Sequence, residues 1–298
     1  TLRHDIPAGL VVFLVALPLS LGIAQASGLP PFVGLLTGVV GGIVVTLFSP
    51  SRYAVSGPAA GLVTIVSGSI ASLGSFSALL LAIMLAGVLQ CIMGLLRAGR
   101  FITLIPGTVI KGMLSAIGIL LIIQQIPLAF GSDGEDSLKS LFDASEPGFS
   151  ASALTVCLVG LAILWLWTTK PVQKISALSW LPGPLVAVLF GGLFTVYGER
   201  LSSEMVDNLP RIVLPEFGSL EQLMGEMTRP DWQAWKNPAV YVVAVTLALV
   251  ASLETLLSQE ALKKIRPQHP APSPDKEMRA QGIGNLLSGF LGGLPITA

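Results

Sequence analysis

The chain runs Ser49-Pro50-Ser51-Arg52-Tyr53-Ala54-Val55-Ser56-Gly57-Pro58-Ala59-Ala60-Gly61 between two long apolar segments, and this stretch cannot form one uninterrupted helix. Pro58 has no backbone N–H, and the small residues around it favour an irregular backbone. A helix that begins at membrane depth is tolerated only where it is packed in protein or lines a wet cavity. Its free N–H groups and the positive end of its dipole then attract an anion. The stretch therefore predicts a half-helix that binds a small anion within a membrane.

The composition is that of a membrane protein. Of the 298 residues, 52% are hydrophobic and 11% are charged, and the mean hydropathy is +0.78. A soluble domain carries roughly 25% charged residues. The 17 basic and 17 acidic side chains cancel, so no excess of positive charge points to a nucleic-acid partner. We therefore expect a multi-pass protein whose main surroundings are the lipid bilayer.

The apolar segments are numerous enough for a polytopic fold. A helix needs about 20 apolar residues to span a bilayer, whereas a half-helix needs fewer. By this criterion the sequence predicts a tenth segment that begins at Pro295 and nine complete ones before it, over residues 6–27, 32–48, 58–71, 76–96, 101–130, 151–169, 181–197, 239–258 and 282–294.

Basic residues in the short loops indicate the orientation, because Lys and Arg accumulate on the cytoplasmic side of a membrane. If the short third segment crosses as a real element, all of these residues fall on one side: Arg3, Arg52, Arg97, Arg100, Lys170, Lys174, Lys263, Lys264, Arg266, Lys276 and Arg279. The acidic loop after the fifth span falls on the other side. We expect a membrane protein with a cytoplasmic N-terminus.

The Gly/Pro break recurs near the end of the sequence, as Gly292-Gly293-Leu294-Pro295-Ile296-Thr297-Ala298. Each break follows a long helix and a shorter one, and seven spans separate the two copies. An odd number of spans inverts the second copy, and inverted repeats with paired interrupted segments are typical of secondary transporters. We predict a first repeat over residues 1–200, with its half-helix near 58–71, an extracellular or periplasmic loop over 201–237, and the start of a second repeat over 238–298. The second repeat is incomplete, so we expect the chain to be a piece of a longer protein.

Glu254 is the most informative charge in the sequence. It lies deep in the eighth span without a basic residue within a turn. An intramembrane carboxylate is costly against lipid, so it is expected to face a cavity and serve an ion or a proton. Ser258 lies one turn further on and adds a hydroxyl oxygen of the kind that hard cations prefer. The alternative is that Glu254 lies near the cytoplasmic interface and is simply hydrated.

A proline lies in the middle of the first span. Pro18 removes a helical hydrogen bond and is expected to bend the helix there. The bend makes Leu19, Ser20 and Ile23 candidates to line a cavity. The alternative is a kink used only for packing, since proline is common in membrane helices.

The motifs resemble those of one known family. They are Asp5-Ile6-Pro7-Ala8-Gly9-Leu10, Leu17-Pro18-Leu19-Ser20-Leu21-Gly22-Ile23-Ala24, Val55-Ser56-Gly57-Pro58-Ala59-Ala60-Gly61, Ala251-Ser252-Leu253-Glu254-Thr255-Leu256-Leu257-Ser258 and the run from Gln281 to Gly293. In this order, over nearly the whole chain, they resemble a bacterial sulfate permease (SulP) family anion transporter. The style of the motifs favours bicarbonate over sulfate as the substrate.

The resemblance implies an all-α membrane protein with a seven-plus-seven inverted repeat and core and gate domains, truncated here within the second repeat. It also implies a homodimer in the full-length form and a cytoplasmic STAS domain that this sequence lacks. The anion would lie between two helix N-termini, with the first-span residues Leu19, Ser20 and Ile23 as a wall. The predicted anion-binding residues of these termini are Pro58, Ala59, Ala60 and Gly61 of the third segment and Ile296, Thr297 and Ala298 of the tenth.

The resemblance also implies a coupling ion. In sodium-coupled bicarbonate carriers of the family an acidic residue on the eighth span helps to bind sodium, and Glu254 occupies that position with Ser258 as the hydroxyl partner. No cofactor other than a coupling Na⁺ is implied. The resulting hypothesis is a secondary active transporter of bicarbonate or sulfate, coupled as a symporter to sodium or protons.

Other classes of protein were weighed against this hypothesis. A nucleobase permease has a similar architecture, but the small apolar Ala59-Ala60 pair suits a compact ion better than a purine or pyrimidine ring. An intramembrane enzyme requires a nucleophile with a base, or a metal cluster, at depth. The sequence offers neither, so no enzyme is predicted. A purely structural protein has no reason to keep two broken helices and a buried carboxylate.

Overall fold

The computed structural model describes residues 2–51, 53–99, 107–131, 150–173, 181–201, 209, 211, 219–265 and 272–298. Within these residues the chain is helical almost throughout. The longer helices are α1 (Leu2–Ala26), α2 (Pro31–Val40), α3 (Val63–Leu73), α4 (Phe76–Leu95), α5 (Gly107–Phe130), α6 (Ala151–Trp167), α7 (Gly183–Leu201), α8 (Pro238–Ile265) and α9 (Pro274–Leu291). Shorter helical pieces are Lys170–Gln173, Leu220–Glu226 and Trp232–Lys236.

These helices follow the predicted segments closely. In the described part of the chain, four of the helical stretches are long and apolar enough to cross a membrane: Ala8–Ala26, Pro31–Phe48, Phe76–Leu95 and Pro238–Glu260. The outer face of α8 is itself apolar, since Tyr241, Val242, Val245 and Leu249 are all exposed. An apolar exposed face of this length is expected of a helix in contact with lipid.

Some positions used to predict the orientation lie outside the described residues, namely Arg52, Arg100, Lys174 and Arg266, as does the acidic loop after the fifth span. Residues 101–106, where the fifth span was predicted to begin, lie outside them as well. The orientation therefore stays a prediction.

The chain divides into two compact units that interleave along the sequence. The first comprises residues 1–19 and 121–213, and the second comprises residues 20–120 and 214–298. In the first unit, α6 packs against α7, and the Trp167 indole N–H donates to the Leu181 carbonyl across 2.8 Å. The predicted repeats are segments related by internal symmetry and not compact units, so their boundaries remain a prediction.

The second unit is built around α4, which packs along both α8 and α9. Glycines on both helices, Gly87 of α4 and Gly282 and Gly289 of α9, allow the close approach of α4 and α9. A Cβ at Gly87 would lie 2.6 Å from the Gly282 carbonyl oxygen, and one at Gly289 would lie 2.8 Å from the Leu80 carbonyl oxygen. Small residues at helix interfaces allow backbones to meet in this way in membrane proteins.

The two predicted breaks are interrupted in the structure as well. After α2 the chain passes through a π-helical turn, Gly41–Val45, and a last turn, Thr46–Phe48, before it becomes extended. A two-residue strand β1 (Gly57–Pro58) then leads into a 3₁₀ turn (Ala60–Leu62) and the half-helix α3. At the other end, α9 stops at Gly292, whose φ of 92° suits glycine. Strand β2 (Ile296–Thr297) follows.

The predicted start of the ninth segment at residue 282 is wrong, because α9 begins at Pro274, eight residues earlier. The first turns of α9 carry Asp275, Lys276, Glu277 and Arg279, which lower the local hydropathy. Hydropathy alone therefore placed these turns outside the span, although the Glu277 side chain is completely buried.

The glycine contact between α4 and α9 gives a first prediction. Gly282→Ala places a methyl group 2.6 Å from the Gly87 carbonyl oxygen and 2.8 Å from the Cys91 backbone nitrogen. Because backbone atoms cannot move aside cheaply, overpacking is expected to cost about 1–3 kcal/mol. The apparent unfolding temperature of the detergent-solubilised protein should fall. Gly68→Ala is the matched control, since its Cβ meets no atom within 4 Å, and equal stability of the two variants would contradict the prediction.

Candidate functional site

The two breaks pair with each other. Strands β1 and β2 form an antiparallel pair in which Gly57 is opposite Thr297 and Pro58 is opposite Ile296. The Ala59 N–H donates to the Pro295 carbonyl across 3.0 Å. The pairing thus brings the predicted anion-binding residues of the third and tenth segments together, although they are more than 230 positions apart in the sequence.

The first break has space because of a glycine in the preceding π-helical turn. A Cβ at Gly41 would lie 2.5 Å from the Ser56 carbonyl oxygen, so a larger residue would push the break away from α2. Ala59 then begins the 3₁₀ turn with φ −78° and ψ 104°, and no side chain caps this end. A helix start without a capping side chain leaves backbone N–H groups for other partners.

Glu254 contacts the start of the half-helix. The Gly61 N–H donates to Glu254 Oε1 across 3.2 Å. A Cβ at Gly61 would lie 2.9 Å from the carboxyl carbon and from both oxygens, so only glycine permits this approach. Oε2 is buried and has no hydrogen-bond partner in the part of the chain that the structure describes. Ser258, the predicted partner of Glu254, is partly buried one turn further along α8.

The same stretch of α8 also reaches the second break. The Ala298 N–H donates to Thr255 Oγ1 across 3.3 Å, and Thr255 is almost completely buried. Neighbouring residues of one helix, Glu254 and Thr255, therefore bind a backbone N–H from each break. The sequence pointed to Glu254 but not to this use of Thr255.

A buried polar face runs along α9, and the sequence analysis missed it. Its residues are Glu277, Gln281, Asn285 and Ser288, which are at most 2% exposed. Their spacing of four, four and three positions places them on one side of a helix. That spacing was readable in the sequence, but the late start assigned to the ninth segment left Glu277 and Gln281 outside it.

The first half of this face holds the approach to the first break. The Ser49 hydroxyl donates to Glu277 Oε2 across 2.6 Å. The Gln281 side-chain amide donates to Glu277 Oε1 across 3.1 Å and to Ser56 Oγ across 2.9 Å. The end of the α2 segment and the residue before β1 are thus both fastened to α9.

The second half of the face holds the second break. Asn285 Oδ1 accepts from the Ile296 N–H across 2.6 Å, and its Nδ2 donates to the Ile296 carbonyl across 3.1 Å and to Gln90 Oε1 across 2.7 Å. The Ser288 hydroxyl donates to the Leu294 carbonyl, and the Leu294 N–H donates to Thr37 Oγ1, each across 2.6 Å. Side chains thus take the place of helical hydrogen bonds where the backbone is irregular.

The first-span candidates have other surroundings. Helix α1 continues through Pro18 to Ala26. Ser20 is buried against α2, where a Cβ at Gly38 would lie 2.9 Å from its hydroxyl oxygen, and Ile23 is also buried. Leu19 belongs to the first compact unit and is 57% exposed. The part of Leu19, Ser20 and Ile23 in binding stays a prediction.

A clustered metal centre is not found among the described residues, where no group of three or more His, Cys, Asp or Glu side chains is gathered. The described oxygen that is available at Glu254 is its Oε2. Such an oxygen suits a proton or a hard monovalent cation more than a transition metal. The predicted sodium site at Glu254 and Ser258 stays a prediction.

Known proteins are similar to this chain in sequence and in fold. Residues 2–298 match the model of the sulfate permease family. The putative sulfate transporter YvdB of Bacillus subtilis is 30% identical over 99% of this chain and 54% of its own length. The bicarbonate transporter BicA of Picosynechococcus is 30% identical over 98% of this chain and 51% of its own length. The chain thus spans about half the length of these two relatives.

A solved structure agrees with the fold. The transmembrane domain of a cyanobacterial bicarbonate transporter, BicA, superposes with a TM-score of 0.79 at 24% identity. The match covers 100% of this chain and 74% of that one. At this identity the similarity establishes the fold alone.

The hydrogen bonds that Asn285 makes to the second break and to Gln90 give a second prediction. Asn285→Leu keeps the approximate volume but leaves the Ile296 N–H, the Ile296 carbonyl and Gln90 Oε1 without their partner. Each buried polar group left without a partner costs about 1–3 kcal/mol, so the unfolding temperature in detergent should fall markedly. Thr246→Val is the control, because the Thr246 hydroxyl is exposed and bonds only within its own helix. An Asn285 variant as stable as this control would contradict the prediction that these hydrogen bonds stabilise the fold.

Proposed function

Because the chain belongs to the sulfate permease family, we propose that it forms the anion-binding part of a secondary active transporter for bicarbonate or sulfate. The family resemblance seen in the motifs is confirmed, and the relatives are named as transporters, in agreement with a chain that is not an enzyme. The observation that supports the proposal is the antiparallel pairing of the two breaks, which brings Gly57 and Pro58 next to Ile296 and Thr297.

The anion is held by backbone amides in this proposal. The Ala59 and Gly61 N–H groups already have partners. The Ala60 N–H between them has no acceptor in the described part of the chain. Because α3 extends away from this point, its dipole places partial positive charge at the same amide. The proposed hydrogen-bond donor to the anion is therefore the Ala60 N–H. Pro58, Ala59 and Gly61 beside it and the facing residues Ile296, Thr297 and Ala298 line the proposed substrate site.

The coupling ion is bound by Glu254 in this proposal. The ionised Glu254 carboxylate and the substrate anion are both attracted by the partial positive charge at the helix start. Because they are both negative, they repel each other there. A proton or a sodium ion on Oε2 removes that repulsion, with Ser258 as a further oxygen ligand of sodium. The anion is then bound only together with the cation, which is the condition for symport.

The larger architecture fits the same proposal. Two breaks of like form, each after a long helix and a shorter one, support the inverted repeat with core and gate parts. We propose an inner-membrane protein with a cytoplasmic N-terminus that acts as a homodimer in its full-length form. The family match and the relatives do not support the alternative of a nucleobase permease.

The deciding experiment is uptake of labelled bicarbonate and labelled sulfate into proteoliposomes that contain the full-length protein. Uptake is measured with a sodium gradient, with a proton gradient and with neither. Accumulation of one anion driven by one gradient supports the proposal and identifies both ions. Lack of uptake of either anion under all three conditions would reject it.

Glu254→Gln gives the third prediction. The amide keeps the size of the side chain but removes the charge that binds the cation. The factor by which the cation gradient stimulates anion uptake should fall at least about tenfold, equivalent to about 1.4 kcal/mol of coupling free energy. Glu260→Gln, six positions along the same helix at an exposed site, should behave as wild type. Cation-dependent uptake that persists in Glu254→Gln would remove this carboxylate from the mechanism.

Gly61→Ala gives the fourth prediction. The added methyl group, 2.9 Å from the carboxyl group, displaces the Glu254 side chain from the start of α3. The KM for the anion and the cation concentration for half-maximal uptake should both rise, by about tenfold for a loss of about 1.4 kcal/mol each. Gly68→Ala, on the same half-helix with an open Cβ position, should leave both unchanged. Wild-type values in a correctly folded Gly61→Ala protein would contradict the assignment.

A further inference from the structure

Gln90 is a completely buried amide in the C-terminal half of α4. Its Oε1 accepts from Asn285 Nδ2 across 2.7 Å, and its Nε2 donates to Ser252 Oγ across 3.2 Å. One side chain thus joins α8 to α9 from within a third helix. Among the described residues Gln90 forms no hydrogen bond with Glu254 or with residues of the two breaks, so a role for it acts through its two partners.

The surroundings of Gln90 make a purely structural amide an expensive choice. Helix α4 is otherwise apolar over its buried face, from Ala78 through Ile83 to Ala86. A buried polar side chain costs free energy unless its hydrogen bonds are complete. An apolar residue of similar volume would fill the same space among these helices without that requirement. The amide is therefore expected to serve the alignment of its two partners.

The hydrogen bonds through Gln90 belong to a closed ring. Ser252 on α8 bonds to Gln90, Gln90 bonds to Asn285, and Asn285 holds both backbone groups of Ile296. Two residues after Ile296, the Ala298 N–H returns to Thr255 on α8. Glu254 lies between the two α8 members of the ring, next to Thr255 and two positions after Ser252.

We propose that Gln90 is a positioning residue that fixes the second break relative to Glu254, so that loading of the carboxylate changes the affinity of the breaks for the anion. The inference rests on the proposed function, since it concerns the link between its cation and anion sites. Without Gln90 the ring is open on one side, and the hydrogen bond from Ala298 to Thr255 is the one member of the ring that still joins α8 to the second break. Both sites then keep their own ligands, but they influence each other less.

The test uses Gln90→Met, which keeps the volume and removes both hydrogen bonds, and Ser252→Ala, which removes only the α8 end. The variants and their double mutant are made in the full-length protein and reconstituted in proteoliposomes. Two quantities are measured with the anion that the wild type transports. The first is its KM at saturating cation, and the second is the cation-dependent factor, defined as the KM at a low, fixed cation concentration divided by the KM at saturating cation. A structural defect affects KM and the amount of folded protein, whereas a coupling defect reduces the factor.

The expected result is a reduction of the cation-dependent factor by at least about fivefold in Gln90→Met, with KM at saturating cation within twofold of wild type. Ser252→Ala should show a similar reduction, and the double mutant should be no worse than Gln90→Met, because both changes open the same link. Thr246→Val, on the exposed face of α8, should keep the wild-type factor.

Several results would overturn the inference. An unchanged factor in folded Gln90→Met would do so, as would additive effects of the two substitutions or a change in KM without a change in the factor. If Gln90→Met does not fold, Ser252→Ala decides by the same criteria. A wild-type protein without any cation effect would reject the coupling in the proposed function as well. If the wild type shows the cation effect, the factors measured in the variants test the role of Gln90 alone.

Discussion

Each backbone N–H and C=O group of an interrupted helix must find a partner once it is buried away from water, and this requirement governs the second compact unit. The structure meets it in two ways. The breaks pair with each other as β1 and β2, and side chains bond the remaining groups, as Asn285 does at Ile296 and as Thr37 and Ser288 do at Leu294. Irregular backbone is thus kept without exposing it to an apolar surrounding.

Helix α9 carries most of this support. Its buried polar face reaches the first break through Gln281 and the second through Asn285, so a single rigid element sets both. The face also bonds to Gln90 of α4, because the glycine contacts let α9 and α4 approach at backbone distance. Small residues and polar residues therefore depend on each other here, since the hydrogen bonds require the close approach.

Much of the fold was readable from periods and lengths, because a span must be long and apolar and a break needs glycine or proline. The segments and both breaks were predicted in this way. The described helices overlap the nine segments before the tenth, although α3 begins at Val63 instead of Pro58 and α9 begins at Pro274 instead of Gly282. The early turns of α9 were missed because Glu277 counts as a polar residue in any hydropathy window, although its hydrogen bonds to Ser49 and Gln281 allow it to be buried. The hydrogen bonds of Gln90 and Thr255 could not be read from the sequence either, because each joins residues from distant segments.

The sequence by itself determined that this chain is a helical membrane protein with two Gly/Pro breaks and a carboxylate within one long apolar helix, because composition and local backbone chemistry are sufficient for these conclusions. Only the tertiary structure decided that the breaks meet, that Gly61 gives its N–H to Glu254 and that α9 holds both breaks in place. Such contacts join residues about 190 to 240 positions apart, and no local pattern specifies them. They follow from the packing of helices around α4, where close glycines select which polar side chains face one another.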